Sequence, residues 1–373
     1  MSGGPESVGE TRNMEVLVIG GGQAGLAAAH ALELAGIDYL VADAGSAVGD
    51  SWRRRYDSLT LFTPRSISSL PGTPLGGDPD GYATKDEFAD YLARYAAIHR
   101  SRIVMETRIV RLGRNGDIFK AVTEDGRTFE TAAVVVATGA FQKPLLPALS
   151  ATLPADTRQM HISDFQNAYS AAEGPVLVVG DGASGRDAAL SLARSHSVLI
   201  AQGRQRKLFP ERILGRSTWR WLQCLGLLTA APDSLIGRRM RRVDPFPNRG
   251  NGDVALVRAG IALKPRLMSC DGHHAVFADG TRELPRTVIW ATGYRDDFGW
   301  IGIAGALDAA GNALHRQGVS PVPGLYFVGR PWQRNRASGL IAGVGADARE
   351  IVATLSPLLP QASGSRDITG ESS

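Results

Sequence analysis

Cysteine is scarce: Cys224 and Cys270 are the only two in 373 residues, far apart and in no Cys-x-x-Cys pair. That excludes a dithiol of neighbouring cysteines and a cysteine-based metal knuckle, and both thiols are expected to act as small apolar side chains. Long apolar runs are missing as well, so no spanning helix is expected. The opening MSGGPESVGETRN lacks the basic start and apolar middle of a secretion signal, and a cytoplasmic chain is expected. Arginine far outnumbers lysine, yet the net charge is only +4 and no aromatic-interleaved basic motif marks a nucleic-acid surface. There is no Ser-His-Asp arrangement and no set of ligand-spaced histidines. His273-His274 in CDGHHAVF reads as a hairpin turn, so no metal is expected.

What is present is a strand–helix alternation that starts twice. Val16–Ile19 reads as a strand, Gln23–Ala35 as a helix and Tyr39–Ala42 as a second strand. Asp86–Ile98 has helical spacing with an acidic first turn, and Arg102–Glu130 reads as antiparallel hairpins. The apolar AAVVVATGA then meets FQKPLLPALS, a proline-rich crossing. The same grammar resumes with strand Val176–Val179, helix Ser184–Arg194 and strand Val198–Ala201. A basic stretch, 204–249, breaks the pattern before TVIWATGY repeats the apolar strand, followed by GLYFVGR and a helix from about Ser338 to Leu358. The expected fold class is α/β, with two Rossmann-like three-layer domains, one inserted in the other. The first takes 14–145 and 288–358, the second 150–285 with a basic helical insert at 204–249, and 1–13 and 359–373 are tails.

Each restart carries a glycine turn. In GGGQAG, Gly20 permits the tight turn, Gly22 leaves room for a pyrophosphate, and Gly25 lets helix meet strand. The helix opening at Gln23-Ala24 then presents free N–H groups and a positive dipole end to phosphate. Asp43, 23 residues past Gly20, suits a carboxylate that binds both ribose hydroxyls. The second copy places Gly180, Gly182 and Gly185 identically, with Ala183-Ser184 opening the helix, but the same offset falls on Gly203. Arg204 follows, with Arg206 and Lys207 near. Loss of the acid beside an arginine admits a 2′-phosphate. The first module therefore suits FAD and the second NADPH, with NADH as the alternative.

With both turns placed, the chain resembles class B flavoprotein monooxygenases, the flavin-containing and YUCCA types and their bacterial relatives, from about Met14 to Leu358. VGDSWRRRYDSLTLFTPRSISSLPG is similar to the family's run from ribose to flavin ring, ATG and ATGY to its two domain crossings, and GLYFVGRPWQRNRASGLIAGVGADA to its closing segment. The resemblance implies FAD contacts at Trp52, Arg53, Thr63, Ile109, Ala137, Thr138, Gly139, Gly329 and Ser338, where a helix start would face the flavin's N1–C2=O edge. It also implies contacts at the second crossing, Ala291, Thr292 and Gly293. Where many flavin-containing monooxygenases have an asparagine beside the flavin, which the YUCCA type also lacks, this chain has Phe62, next to Thr63; these two are the flavin-facing catalytic candidates. ADTRQMHISDF keeps the fingerprint's His161 and Phe165 but has Ala155 and Thr157 for its Phe and Gly, and Arg330 replaces the family's acid after Gly329.

The implied activity is NADPH-driven insertion of one oxygen atom from O2 into a small organic substrate, through a flavin C4a-(hydro)peroxide. The alternatives are a flavin reductase or dehydrogenase without oxygen insertion, and a nucleotide-sensing regulatory flavoprotein. Expected partners are the small-molecule substrate and O2, with no nucleic acid and no membrane span, in a monomer or homodimer. Trp219, Trp221 and Leu222 could wall the site from water, or the insert could pack on its own module; RRMRR at 238–242 reads as a solvated charge run.

Overall fold

Four consecutive apolar residues, Val16–Ile19, can be buried on both sides only in the middle of a covered parallel sheet, and that is their place. The computed structural model describes residues 11–203, 208–243 and 246–359. The first sheet runs in the order Ile103–Val104, Tyr39–Ala42, Thr11–Ile19, Thr128–Val136, Ile118–Thr123, Ile109–Asn115. Thr128–Val136 changes partner along its length. Its start pairs with the antiparallel strand Ile118–Thr123, its end with the parallel strand Leu325–Phe327. One face is covered by helices Gln23–Leu34, Lys85–Ile98 and Ile341–Leu355, the other by the hairpins and by Phe298, Ile301 and Val322.

The second sheet is wholly parallel: Ala262–Lys264, Val198–Ala201, Val176–Val179, Thr287–Trp290, Arg158–His161. Helices Ala183–Leu192 and Asp253–Arg258 lie on one face, and the antiparallel strands Leu267–Asp271 and His274–Phe277 close the other. Both domains thus have the expected three layers. The two crossings between them pair with each other, Lys143–Pro144 antiparallel to Tyr294–Arg295. His273 lies in the tight turn where Asp271 faces His274, as expected, and among the described residues no group of side chains has the makings of a metal site.

Several boundaries move. Thr11–Asn13 extend the first strand by pairing with Thr128–Glu130, so the tail stops short of residue 13. Thr287–Trp290 belongs to the second sheet, between Val176–Val179 and Arg158–His161, so the chain returns to the first domain after Trp290 rather than at 288. The helix expected from Ser338 begins at Ile341 after a 3-10 turn, Arg336–Gly339. The insert is not simply helical: helices Thr218–Cys224 and Leu235–Val243 alternate with short strands, Leu208–Pro210 pairing with Phe246–Asn248. Leu359, expected in a tail, is buried in the first core, and no described helix is long and apolar enough to cross a membrane.

Candidate functional site

The duplication holds at the level of single backbone bonds. Gly20 N–H donates to the Ala42 carbonyl at 2.8 Å, and Gly180 N–H to the Ala201 carbonyl at 3.0 Å. Ala137 N–H donates to Ile19 and Ala291 N–H to Val179, both at 2.8 Å, so the two Ala-Thr-Gly ends occupy equivalent places. Gly20 and Gly180 have φ of +106° and +108°, and a Cβ on either would strike the carbonyl of Ala137 or Ala291. Gly25 and Gly185 are needed for contact: a Cβ would stand 1.8 Å from the Gly20 oxygen and 2.0 Å from the Gly180 oxygen. Gly22 differs. A Cβ there meets no protein atom within 4 Å, so packing gives no reason for glycine, and the open space is what a pyrophosphate requires.

The helix ends agree. Helix Lys85–Ile98 has a full capping box from Thr84 and Glu87, and Ser217 caps the helix at Thr218. The helices opening at Gln23, Ala183 and Ile341 have no side-chain cap, which leaves their N–H groups for another acceptor. Gly329 sits against Ala24, bringing Gly20, Ala24, Gly25, Ala137 and Gly329 into one cradle. Gly180, Gly185 and Ala291 form its counterpart. Asp43 binds the first cradle's turn, its Oδ2 accepting from Gly21 N–H at 2.5 Å and its Oδ1 from Gly45 N–H at 2.7 Å. These features fit a dinucleotide in the first module.

Other expected contacts are already partnered within the protein. Trp52 Nε1 donates to Gln23 Oε1 at 3.2 Å, but Arg53 binds the Val48 carbonyl and Asp90. Ile109 is buried with Leu40 and Ala42, and Thr138 Oγ1 accepts from Gln142. Thr292 Oγ1 donates to the Leu145 carbonyl and the Gly293 carbonyl accepts from Leu145 N–H, which ties the two crossings together. The Thr63 hydroxyl is buried 2.7 Å from Ser68 Oγ, so it faces inward rather than toward a bound ring. Ser338 is also fully buried, bonded to Asp347 and to the N–H groups of Arg334 and Asn335. Arg204, Arg206 and Lys207 lie outside the described residues.

Strand register corrects one alignment. Ile19 pairs with Ala42 and Val179 with Ala201, and Asp43 N–H and Gln202 N–H donate to Val104 and Lys264 in turn. Gln202, not Gly203, therefore occupies the place of Asp43; the second turn-to-strand path is one residue shorter. Arg330, at the family's acidic position, reaches both crossings, donating to the Gly139 carbonyl at 2.8 Å and pairing with Asp296. His161, kept from the fingerprint, lies 3.0 Å by Nε2 from the Gly293 carbonyl, and burial lowers its pKa.

The insert reaches across to the first domain. Trp219 is buried with Ile67, Leu228, Ala337 and Leu340, and its Nε1 donates to the Phe62 carbonyl at 2.9 Å. Its ring lies 5.9 Å from that of Phe62, which is 38% exposed. Trp221 instead bonds the Ile213 carbonyl within the insert, while Leu222 packs with Trp219. Arg249 fastens the insert's far end, donating to the Leu61 carbonyl and Thr60 Oγ1 beneath the ring of Tyr82. Tyr56 crosses the other way, into the second core, where its hydroxyl donates to Asp187. Burial raises the pKa of both groups. A cleft of about 210 Å³ lies between Thr60–Phe62, the helix face of Ala183, Asp187 and Leu190, and Arg249. A larger surface hollow of about 500 Å³ lies by Tyr82 and the Arg65–Glu87 ion pair, away from both glycine turns.

None of Tyr56, Asp187 and Arg249 was legible as a site residue, whereas Phe62 was, though not its contact with Trp219. Each gains its role from a partner far along the chain, and local pattern carries no such signal.

Asp347, under Ser338, has burial as its main perturbation, which pushes its pKa up to about 6, and its Oδ2 has no partner. A raised folded-state pKa gives stability that is present below the unfolded value near 4 and lost as pH rises through about 6. Asp347→Asn should therefore add on the order of 2 kcal/mol at pH 7.5 and flatten the stability curve between pH 4 and 6.5. Thermal melts across that range check it; parallel curves for the two proteins would contradict it.

Paired glycine turns, one closed by Asp43, in two domains that the Trp219–Phe62 and Tyr56–Asp187 contacts hold together, are those of a flavin-dependent oxidoreductase. The chain belongs to the pyridine nucleotide-disulphide oxidoreductase family, whose model matches residues 17–211. It is 43% identical to an uncharacterized oxidoreductase CzcO-like of Geobacillus kaustophilus (strain HTA426), over 91% of this chain and 97% of that one. It is 27% identical to the indole-3-pyruvate monooxygenase YUCCA4 of Oryza sativa subsp. japonica, over 90% and 86% of the two chains. The fold matches that of a flavin-containing monooxygenase from Stenotrophomonas maltophilia with a TM-score of 0.77, at 24% identity, covering 93% of this chain and 99% of that one. The expected resemblance to class B flavin monooxygenases is borne out. Despite the family's name, Cys224 and Cys270 are both free thiols, and burial raises the pKa of Cys270.

Proposed function

We propose that the protein is an FAD-dependent, NADPH-consuming monooxygenase that inserts one atom of O2 into a small organic substrate. The observation that carries this reading is the Trp219–Phe62 contact, by which the insert roofs the segment between the two glycine turns. A reductase has no need to exclude water there, whereas an oxygenating flavin does.

FAD would lie along Gly20–Gly25, with Asp43 at its ribose and the uncapped helix at Ile341 toward its ring. That helix end is worth about 0.3–1 kcal/mol to an adjacent anion, more when partly buried. NADPH would lie along Gly180–Gly185, and when bound the two cofactors supply the redox chemistry. The chain's own groups position and shield: Arg249 and Trp219 hold 60–62, Arg330 and His161 hold the crossings, and the cleft beside Phe62 receives the substrate. The named relatives that are monooxygenases support the same reading.

Incubation with NADPH and isotopically labelled O2 over a panel of sulfides, amines, ketones and indolic acids tests it. One labelled oxygen in a product is expected. NADPH oxidation that yields only hydrogen peroxide, with every compound unchanged, would favour the reductase reading, to which Phe62 at the asparagine position lends weight. Within the monooxygenase reading, Arg204→Ala should raise the KM for NADPH about tenfold and leave that for NADH within twofold. An unchanged ratio in steady-state assays would remove Arg204 from the coenzyme site.

A further inference from the structure

The second module lacks an acid after its second strand, yet the fold brings one there from another element. Gln202 takes the backbone place of Asp43, and its Nε2 donates to Asp253 Oδ1 at 3.3 Å. Asp253 is the first residue of helix Asp253–Arg258, and its side chain is 58% exposed. The same Oδ1 lies 2.8 Å from Arg186 Nη2. Arg186 is 3% exposed and turns back to the glycine turn, meeting the Asp181 carboxylate at 3.3 Å and the Asp181 and Asn251 carbonyls at 3.0 Å each. In the first module one carboxylate links strand end to glycine turn; in the second, Gln202, Asp253, Arg186 and Asp181 make that link as a chain. One guanidinium between two carboxylates leaves a net negative charge, and its exposed share belongs to Asp253.

We propose that Asp253 is a coenzyme-selecting carboxylate. Placed beside Gln202, it opposes the 2′-phosphate of NADPH and leaves the ribose hydroxyls of NADH to the Gln202 amide and its own oxygens. The inference rests on the second module's being a dinucleotide site, as the proposed function has it.

Calorimetric titration of the purified full-length protein with 2′,5′-ADP and with ADP separates these claims without any turnover. Asp253→Asn keeps the shape and an acceptor for Arg186 but removes the charge, so the affinity for 2′,5′-ADP relative to ADP should rise about five- to tenfold. Gln202→Glu, at a partly exposed position, should shift the ratio the opposite way by a similar factor. Parallel changes for both nucleotides, or an unmoved ratio in both variants, would overturn the role of Asp253 and leave the dinucleotide site standing. Failure of the parent protein to bind either nucleotide would overturn the site and the proposal with it.

Discussion

Gly22→Val protein should fold normally and lose its flavin, whereas Gly25→Ala protein should fail at both. The two glycines stand three residues apart, yet they are glycine for different reasons. At Gly22 the backbone is extended, with φ −74° and ψ −171°, which valine adopts freely, and no protein atom lies within 4 Å of an added Cβ. Valine is only a poorer helix N-cap, so the stability lost is about 1 kcal/mol or less. Its methyl groups occupy the pyrophosphate's space, and FAD affinity should fall by at least about 100-fold. At Gly25 an added Cβ would stand 1.8 Å from the Gly20 oxygen, which cannot yield without opening the turn. Overpacking of that kind costs about 3 kcal/mol. Flavin absorbance and thermal melts of both variants check the contrast. Equal flavin content in the Gly22→Val and parent proteins would contradict it.

Trp219→Ala should uncouple NADPH oxidation from product formation. The side chain is fully buried, and truncating it costs about 3–5 kcal/mol locally as the cluster of Ile67, Leu228, Ala337 and Leu340 loses its centre. Phe62 then loses both its ring neighbour and the donor to its carbonyl. On the proposed function, water would then reach the segment that the flavin would face, and peroxide released per NADPH consumed should rise about tenfold. Trp219→Phe keeps most of the packing but not the Nε1–H, so it should lie between. Product and peroxide are measured against NADPH in the same reaction. A folded Trp219→Ala protein with unchanged coupling would show that the insert does not shield the chemistry.

Much of the fold could be read from the chain because it repeats. Strand, glycine turn, helix and strand each have local signatures, and finding the set twice placed Gly20, Gly25, Gly180 and Gly185 where the structure has them. Asp43 was equally legible. Its counterpart was not, because a loop shorter by one residue moves it from Gly203 to Gln202, and only strand register reveals the slip. The strand Thr287–Trp290 was assigned to the wrong domain for a similar reason: apolar runs ending in Ala-Thr-Gly look alike wherever they pair. The least legible features were contacts across great sequence distance. Nothing near Phe62 announces Trp219, 157 residues on, nor does anything near Thr60 announce Arg249, 189 residues on. The Thr63 hydroxyl, an attractive candidate by its neighbours, turned inward to Ser68 because a buried hydroxyl takes the nearest partner.

The central claim is that the first glycine turn holds a flavin which a nucleotide on the second turn can reduce. Titrating the purified full-length protein with FAD, then adding NADPH in the absence of oxygen, tests it most directly. The account predicts one equivalent of FAD bound per chain and bleaching of its visible bands by NADPH. Protein that remains colourless after exposure to FAD, or whose bound flavin is not bleached by NADPH or by NADH, would contradict it.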